Sequence, residues 1–305
     1  MVGVILISLA LLFSAVPMDW HSAKPLGLDV VGIDARAHDA VCTASAPMMK
    51  VRIERAIFGT TPDQVAALAA DCGIQTIVLH AGVIGYDWRA LASEWHAGGW
   101  GELVNAHRDI TFWIEIGNEP EYAGMPDGAV ARTVTLETYK RLALGIGSGE
   151  PAWRDAYPGL HWMASLPLTL ERVQAFLRWI PDNSQGWLSQ GSIGDWYDAV
   201  GIHIYGHYRV VDEHLWTIYN HVIRRPDIKS CAITEAGING IPPADGMREL
   251  AGLARWTPCF AAFAFAYFPV AGACDWGGPA AANYHLCDRS SWDVMGAYNQ
   301  TGRVP

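Results

Sequence analysis

The chain has 305 residues, 51% of them hydrophobic, and a formal charge of −10 from 31 acidic and 21 basic side chains. That size permits a large core in one or two domains, and α/β barrels of about 250 residues commonly form one. The acidic balance argues against a nucleic-acid backbone as partner. Fourteen Trp is a high count, because each buried indole N–H needs a partner; flat aromatic faces suit sugar rings, although most of these belong in a core.

Residues 2–16 form an uninterrupted apolar run, short for a membrane span and right for the core of a signal peptide. No Lys or Arg precedes it, and Phe13-Ser14-Ala15 is a poor cleavage site, so an uncleaved anchor or a buried N-terminal segment stays open. The expectation is a leader over residues 1–23 and one domain over residues 24–305. The protein would then be secreted or held at the cell envelope, with that leader as its only membrane contact. Six Cys permit disulfides in such a compartment. Cys274 and Cys287 bracket one Gly/Ala-rich loop and are the expected pair, whereas Cys72 and Cys231 read as small buried residues. No Cys/His spacing suggests a metal site.

After the leader, residues 29–34 are a short apolar run that suits a first strand, and residues 37–49 predict a short or irregular helix. Residues 50–57 alternate and read as strand two. Thr61 then caps a helix with Pro62 in its first turn, and Gly73 closes it. Strand three covers residues 75–80 and ends at His80. A helical pattern over residues 87–107 is broken at Gly98-Gly99. Strand four begins at Ile110 and stops at Gly117-Asn118-Glu119-Pro120, since Pro120 has no N–H for the ladder.

A helix over residues 136–144 leads to strand five at 161–166, and a helix over 170–179 to strand six at 199–205. Residues 212–224 are helical, 230–235 form strand seven, 247–256 a helix, 261–268 strand eight, and 291–298 a terminal helix. Eight apolar strands alternating with helices, without a linker or repeat, describe a (β/α)8 TIM barrel. A doubly wound open sheet is the alternative, but no glycine-rich phosphate loop follows the first strand.

In such a barrel the functional groups sit at the C-terminal strand ends. Strand four ends in Asn118-Glu119, strand six in His203-Ile204-Tyr205, and strand seven in Glu235, so two carboxyls face each other across the barrel mouth. One carboxyl that protonates a leaving oxygen and one that attacks an anomeric carbon, roughly 5–5.5 Å apart, are what a retaining glycosidase needs. Glu115, two positions before Gly117, and Glu121, beyond the Pro, are poorer candidates.

With Gly201-Ile-His-Ile-Tyr205 lying between Asn118-Glu119-Pro120 and Ile233-Thr-Glu-Ala-Gly237, the chain resembles clan A of the glycoside hydrolases over residues 30–300. The resemblance implies a retaining hydrolase of β-linked glycans, with an oligo- or polysaccharide as partner and no cofactor or metal. It makes Glu119 the acid/base and Glu235 the nucleophile. Asn118 would bond the sugar 2-hydroxyl, Tyr205 would hold Glu235, and His203 would line the cleft. Arg52, rather than Arg55, resembles the clan's strand-two arginine.

His80 either lines the cleft or serves the structure, and Trp276 is a candidate sugar-stacking platform. Glu119 must hold a proton near neutral pH, which the adjacent charge of Glu235 favours by like-charge repulsion. A non-catalytic carbohydrate-binding barrel, or a surface or virion-associated one, is the other reading.

Overall fold

Eight parallel strands close into a barrel, each paired with its neighbour in sequence and the last with the first. They are β1 (Leu26–Val30), β2 (Met48–Arg52), β3 (Thr76–Ala81), β4 (Thr111–Ile116), β5 (Leu160–Ser165), β6 (Ala199–His207), β7 (Cys231–Asn239) and β8 (Ala262–Ala266). Closure rules out the open sheet. The computed structural model describes residues 23–121, 123–125, 127–178, 192–207, 217, 219–239, 241–266 and 289–305. The apolar leader, Trp276, Cys274 and Cys287 therefore lie outside the described residues, as do residues 212–216 and 218 of the helix expected over residues 212–224.

Parallel strands covered on both faces are apolar on both faces. The outward side chains Leu28, Met49, Val51, Ile77, Leu79 and Ile114 pack against the surrounding helices in one continuous core. That outer layer also holds Trp95 and Trp153, stacked with ring centroids 4.6 Å apart, so part of the Trp count is core. Inside the barrel, Met48, Val78, Trp113, Met163, Ala232 and Phe263 fill one end. A Cβ on Gly27 would lie 2.6 Å from the Phe263 ring, so the glycine makes room for it.

Above that apolar plug the interior turns charged. Asp29 and Lys50, register partners on β1 and β2, and Glu115 on β4 are fully buried, where barrels of this class usually stack branched apolar side chains.

The helix Pro62–Cys72 follows its sequence signals closely. Thr61 and Gln64 form a capping box, and Gly73 ends the helix at φ 71°. Elsewhere local polar chemistry moved the boundaries. Asp34, taken as the end of a strand, instead caps a regular helix, Ala35–Thr43, by accepting from the Arg36 and Ala37 amides. Asp127 likewise starts the next helix at Gly128, well before the expected residue 136.

Two disulfides correct the cysteine reading. Cys72 pairs with Cys42, and Cys231 with Cys259. The first joins helices that follow consecutive strands and so lie side by side outside the barrel. The second joins the start of β7 to the loop entering β8, where two parallel strands begin at the same end. Among the described residues no helix is long and apolar enough to cross a membrane.

Candidate active site

The end of β4 is bent into place by one glycine and one histidine. Gly117 adopts φ 89°, and a Cβ there would lie 2.3 Å from the Tyr86 hydroxyl, so only glycine fits. Its N–H donates to the Ala81 carbonyl at 2.8 Å, and its carbonyl lies 2.8 Å from His80 Nε2. The same nitrogen is 3.3 Å from Arg52 Nη1. One ring nitrogen cannot donate and accept together, so the closer carbonyl assigns it the proton. His80 is wholly enclosed; its ring supports the strand end.

Two residues on, Glu119 has φ 41°, left-handed for a side chain with a Cβ. Such a conformation costs of order 1–3 kcal/mol and persists only where its surroundings fix it. It turns the carboxyl inward, to 8% exposure, with Oε1 3.0 Å from His203 Nδ1. Asn118 stays half-buried beside it, and its Oδ1 has no hydrogen-bond partner among the described residues.

Glu235 is placed by a bulge. The β6–β7 register shifts between Ile202 and His203, and the β7–β8 register between Ile233 and Ala236. The extra residue lets consecutive side chains turn inward. Thr234 donates to Glu115 Oε1 at 2.6 Å, while Glu235 reaches the charged layer. Its Oε1 accepts from Arg52 Nη2 at 2.5 Å and Lys50 Nζ at 2.9 Å. Its Oε2 accepts from the Tyr205 hydroxyl at 2.5 Å. Arg55, by contrast, is exposed in the helix Arg55–Phe58.

The electrostatics follow from these contacts. Burial alone would raise Glu235, but Arg52, His203 and Lys50 and the Tyr205 hydrogen bond outweigh it and hold the carboxyl well below the usual range. Burial would likewise lower His203, yet Glu235 and the bonds to Glu115 and Glu119 push it up to about 9. Burial raises Asp29 to about 7 despite Arg52 and Lys50. Glu115 is held at about 2, because Lys50 and His203 overcome its burial. Burial, followed by the charge of Glu235, raises the Tyr205 hydroxyl far above its ordinary value, so it stays a donor.

Glu119, His203 and Glu235 each place one polar atom within 4.8 Å of the others. A divalent ion there would meet Arg52 and Lys50, already on one oxygen of Glu235, so this donor set does not suit a resident metal.

The structure thus gathers Glu119, Glu235, His203, Tyr205 and Arg52 at one end of the barrel, with Asn118 at its edge and His80 beneath. Sequence reasoning missed Lys50, Asp29 and Thr234 and passed over Glu115. A usable signal existed: Lys50 and Arg52 share a face at period two, so a cation sits inside wherever Arg52 does.

No protein-family model matches the chain, and no curated protein does. Among solved structures, a hyperthermophilic endo-β-1,4-glucanase in complex with substrate superposes with a TM-score of 0.50 at 10% identity, over 94% of this chain and 99% of that one. A Cellulomonas fimi endo-β-1,4-mannanase double mutant superposes with a TM-score of 0.50 at 13% identity, over 92% of this chain and 72% of that one. A Bacteroidetes-affiliated GH5 cellulase linked with a polysaccharide utilization locus gives 0.48 at 10% identity, over 96% and 95%. At such identities the likeness is one of fold: the (β/α)8 barrel.

Proposed function

We propose that the chain is a retaining glycoside hydrolase of clan A type, acting on β-linked glycans. The observation that carries this is the spacing of Glu119 and Glu235, which bring carboxylate oxygens within 4.8 Å of each other. That proximity accords with the roughly 5–5.5 Å between the carboxyl groups of a retaining enzyme better than with the roughly 6.5–9.5 Å at which an inverting enzyme holds a water.

In the first step Glu235, kept ionised by its donors, attacks the anomeric carbon while Glu119 gives its proton to the departing oxygen. His203 donates to Glu119 Oε1, leaving the other oxygen to serve the substrate. The electron pair of the broken C–O bond leaves with the protonated oxygen, and an ester forms on Glu235. In the second step Glu119, now a base, takes a proton from water, which attacks the same carbon and releases Glu235. Asn118 would bond the sugar 2-hydroxyl, and Trp276 would stack on a neighbouring sugar. The two disulfides and the apolar leader support a secreted or envelope location.

The first glycans to assay are β-1,4-glucan and β-1,4-mannan oligosaccharides, the substrate classes of the two enzymes that share the barrel. Proton NMR of the first anomer released tests the stereochemistry. The β-anomer is expected before mutarotation; an initial α-anomer would overturn the retaining mechanism.

A further inference from the structure

Lys50 is a buried cation on Glu235 that the sequence reading did not assign. Its Nζ lies 2.7 Å from Glu115 Oε2, 2.9 Å from Glu235 Oε1 and 3.8 Å from Asp29 Oδ2, with no solvent exposure. Glu115 has other partners, the Thr234 hydroxyl at 2.6 Å and His203 Nε2 at 3.6 Å. β6, across the barrel interior, also gives up a side chain for it, since a Cβ on Gly201 would fall 2.1 Å from Glu115 Oε1. A buried ion pair is rarely the most stable filling of a core; apolar side chains of similar volume often do better. Stability therefore gives little reason for a Lys–Glu pair in the barrel interior.

We propose that Lys50, held from below by Glu115, is a positioning residue for Glu235: it fixes the orientation of the carboxylate and sets a second positive charge against its Oε1. This deepens the hydrolase reading and rests on it for the catalytic part of Glu235; the effect of Lys50 on the Glu235 carboxylate does not. The other groups that share the field at Glu235 are Asp29 on β1, Arg52 on β2, Glu115 and Glu119 on β4 and just beyond it, and His203 and Tyr205 on β6. Arg52 approaches the same oxygen, Oε1, from the mouth side of β2, so Lys50 supplies a second cation rather than the sole one.

The test uses Lys50→Met and, because that change strands a buried carboxylate, the Lys50→Met/Glu115→Gln double variant. Two readouts are taken on folded protein. One is the carbon-13 NMR titration of the Glu235 carboxyl in glutamate-labelled protein, assigned with Glu235→Gln. The other is the acidic limb of kcat/KM on an activated β-glycoside.

Both are expected to move up by about one to two pH units in the double variant, with most activity recovered well above the limb. A merely structural role would lower activity at every pH and leave the limb in place. An unmoved Glu235 midpoint in the folded double variant overturns the proposal, whatever the activity. A moved midpoint in a protein that forms no glycosyl adduct sustains the role of Lys50 on Glu235 and overturns the hydrolase reading instead.

Discussion

His203 Nδ1 lies 3.0 Å from Glu119 Oε1, and its Nε2 lies 3.6 Å from both Glu115 Oε1 and Glu235 Oε1. One imidazole therefore stands between the two proposed catalytic carboxyls, with a third carboxylate beneath it.

That arrangement gives a pH signature. His203 is pushed up to about 9 from an ordinary 6.5, so the folded protein binds its proton more tightly than the unfolded chain. The resulting stability is complete below about pH 6.5 and is lost as pH rises through 9, up to about 3 kcal/mol in all. Thermal midpoints of wild type and His203→Gln, compared from pH 6 to 9.5, should converge towards the alkaline end. A constant gap between them would contradict a charged His203. Asp29 titrates in both proteins and cancels in the difference.

The two carboxyls should fail differently. Glu235→Ala is expected to lose at least about 10⁴-fold in turnover on every substrate, with the fold retained by circular dichroism. Glu119→Ala is expected to lose about 10²–10⁴-fold on natural glycans, but little in the first step on aryl glycosides whose leaving group needs no proton. Equal losses on both substrate types would remove Glu119 from the acid role.

Gly117→Ala tests the bend that sets Glu119. At φ 89°, with a Cβ forced to 2.3 Å from the Tyr86 hydroxyl, the variant must shift the strand end. We expect a loss of about 2 kcal/mol in stability and a fall of about 10²-fold in kcat/KM, because displacements near 1 Å cost that much. Urea unfolding and steady-state kinetics measure the two. Unchanged kinetics would mean that Glu119 is oriented from elsewhere.

The disulfides should serve stability and not chemistry. Each closes a loop of similar length, with sequence separations of 30 and 28, so each should contribute about 3–4 kcal/mol on the chain-entropy account. Cys42→Ser with Cys72→Ser should shift the urea midpoint down and leave kcat/KM of the folded protein unchanged. A change in kcat/KM at low urea would tie the outer helices to the site.

Much of the fold was legible because local and global signals agree. Short apolar runs mark most of the strands, Thr61 and Gly73 mark helix ends, and Pro120 stops β4, although the alternation read as strand over residues 50–57 leaves β2 at Arg52 and runs into the helix Arg55–Phe58. Asn118, Glu119 and Glu235 stood out because strand ends of one barrel converge. The charged interior did not, since Lys50 in an alternating strand looks like the solvent face of any half-buried strand. Only closure of the barrel reveals that its side faces inward. The bulge at Thr234 breaks the alternation that sequence reading relies on. The cysteine pairs depend on which helices and which strand ends lie side by side, which linear spacing does not encode.

The most direct test of the double-displacement mechanism is the intact mass of the protein after exposure to 2-deoxy-2-fluoro β-glycosides with activated leaving groups, followed by peptide mapping. The account expects one adduct, of the mass of one fluoroglycosyl unit, on Glu235, and none in Glu235→Ala. An adduct on any other residue, or glycan binding with no adduct from any sugar tested, would contradict it.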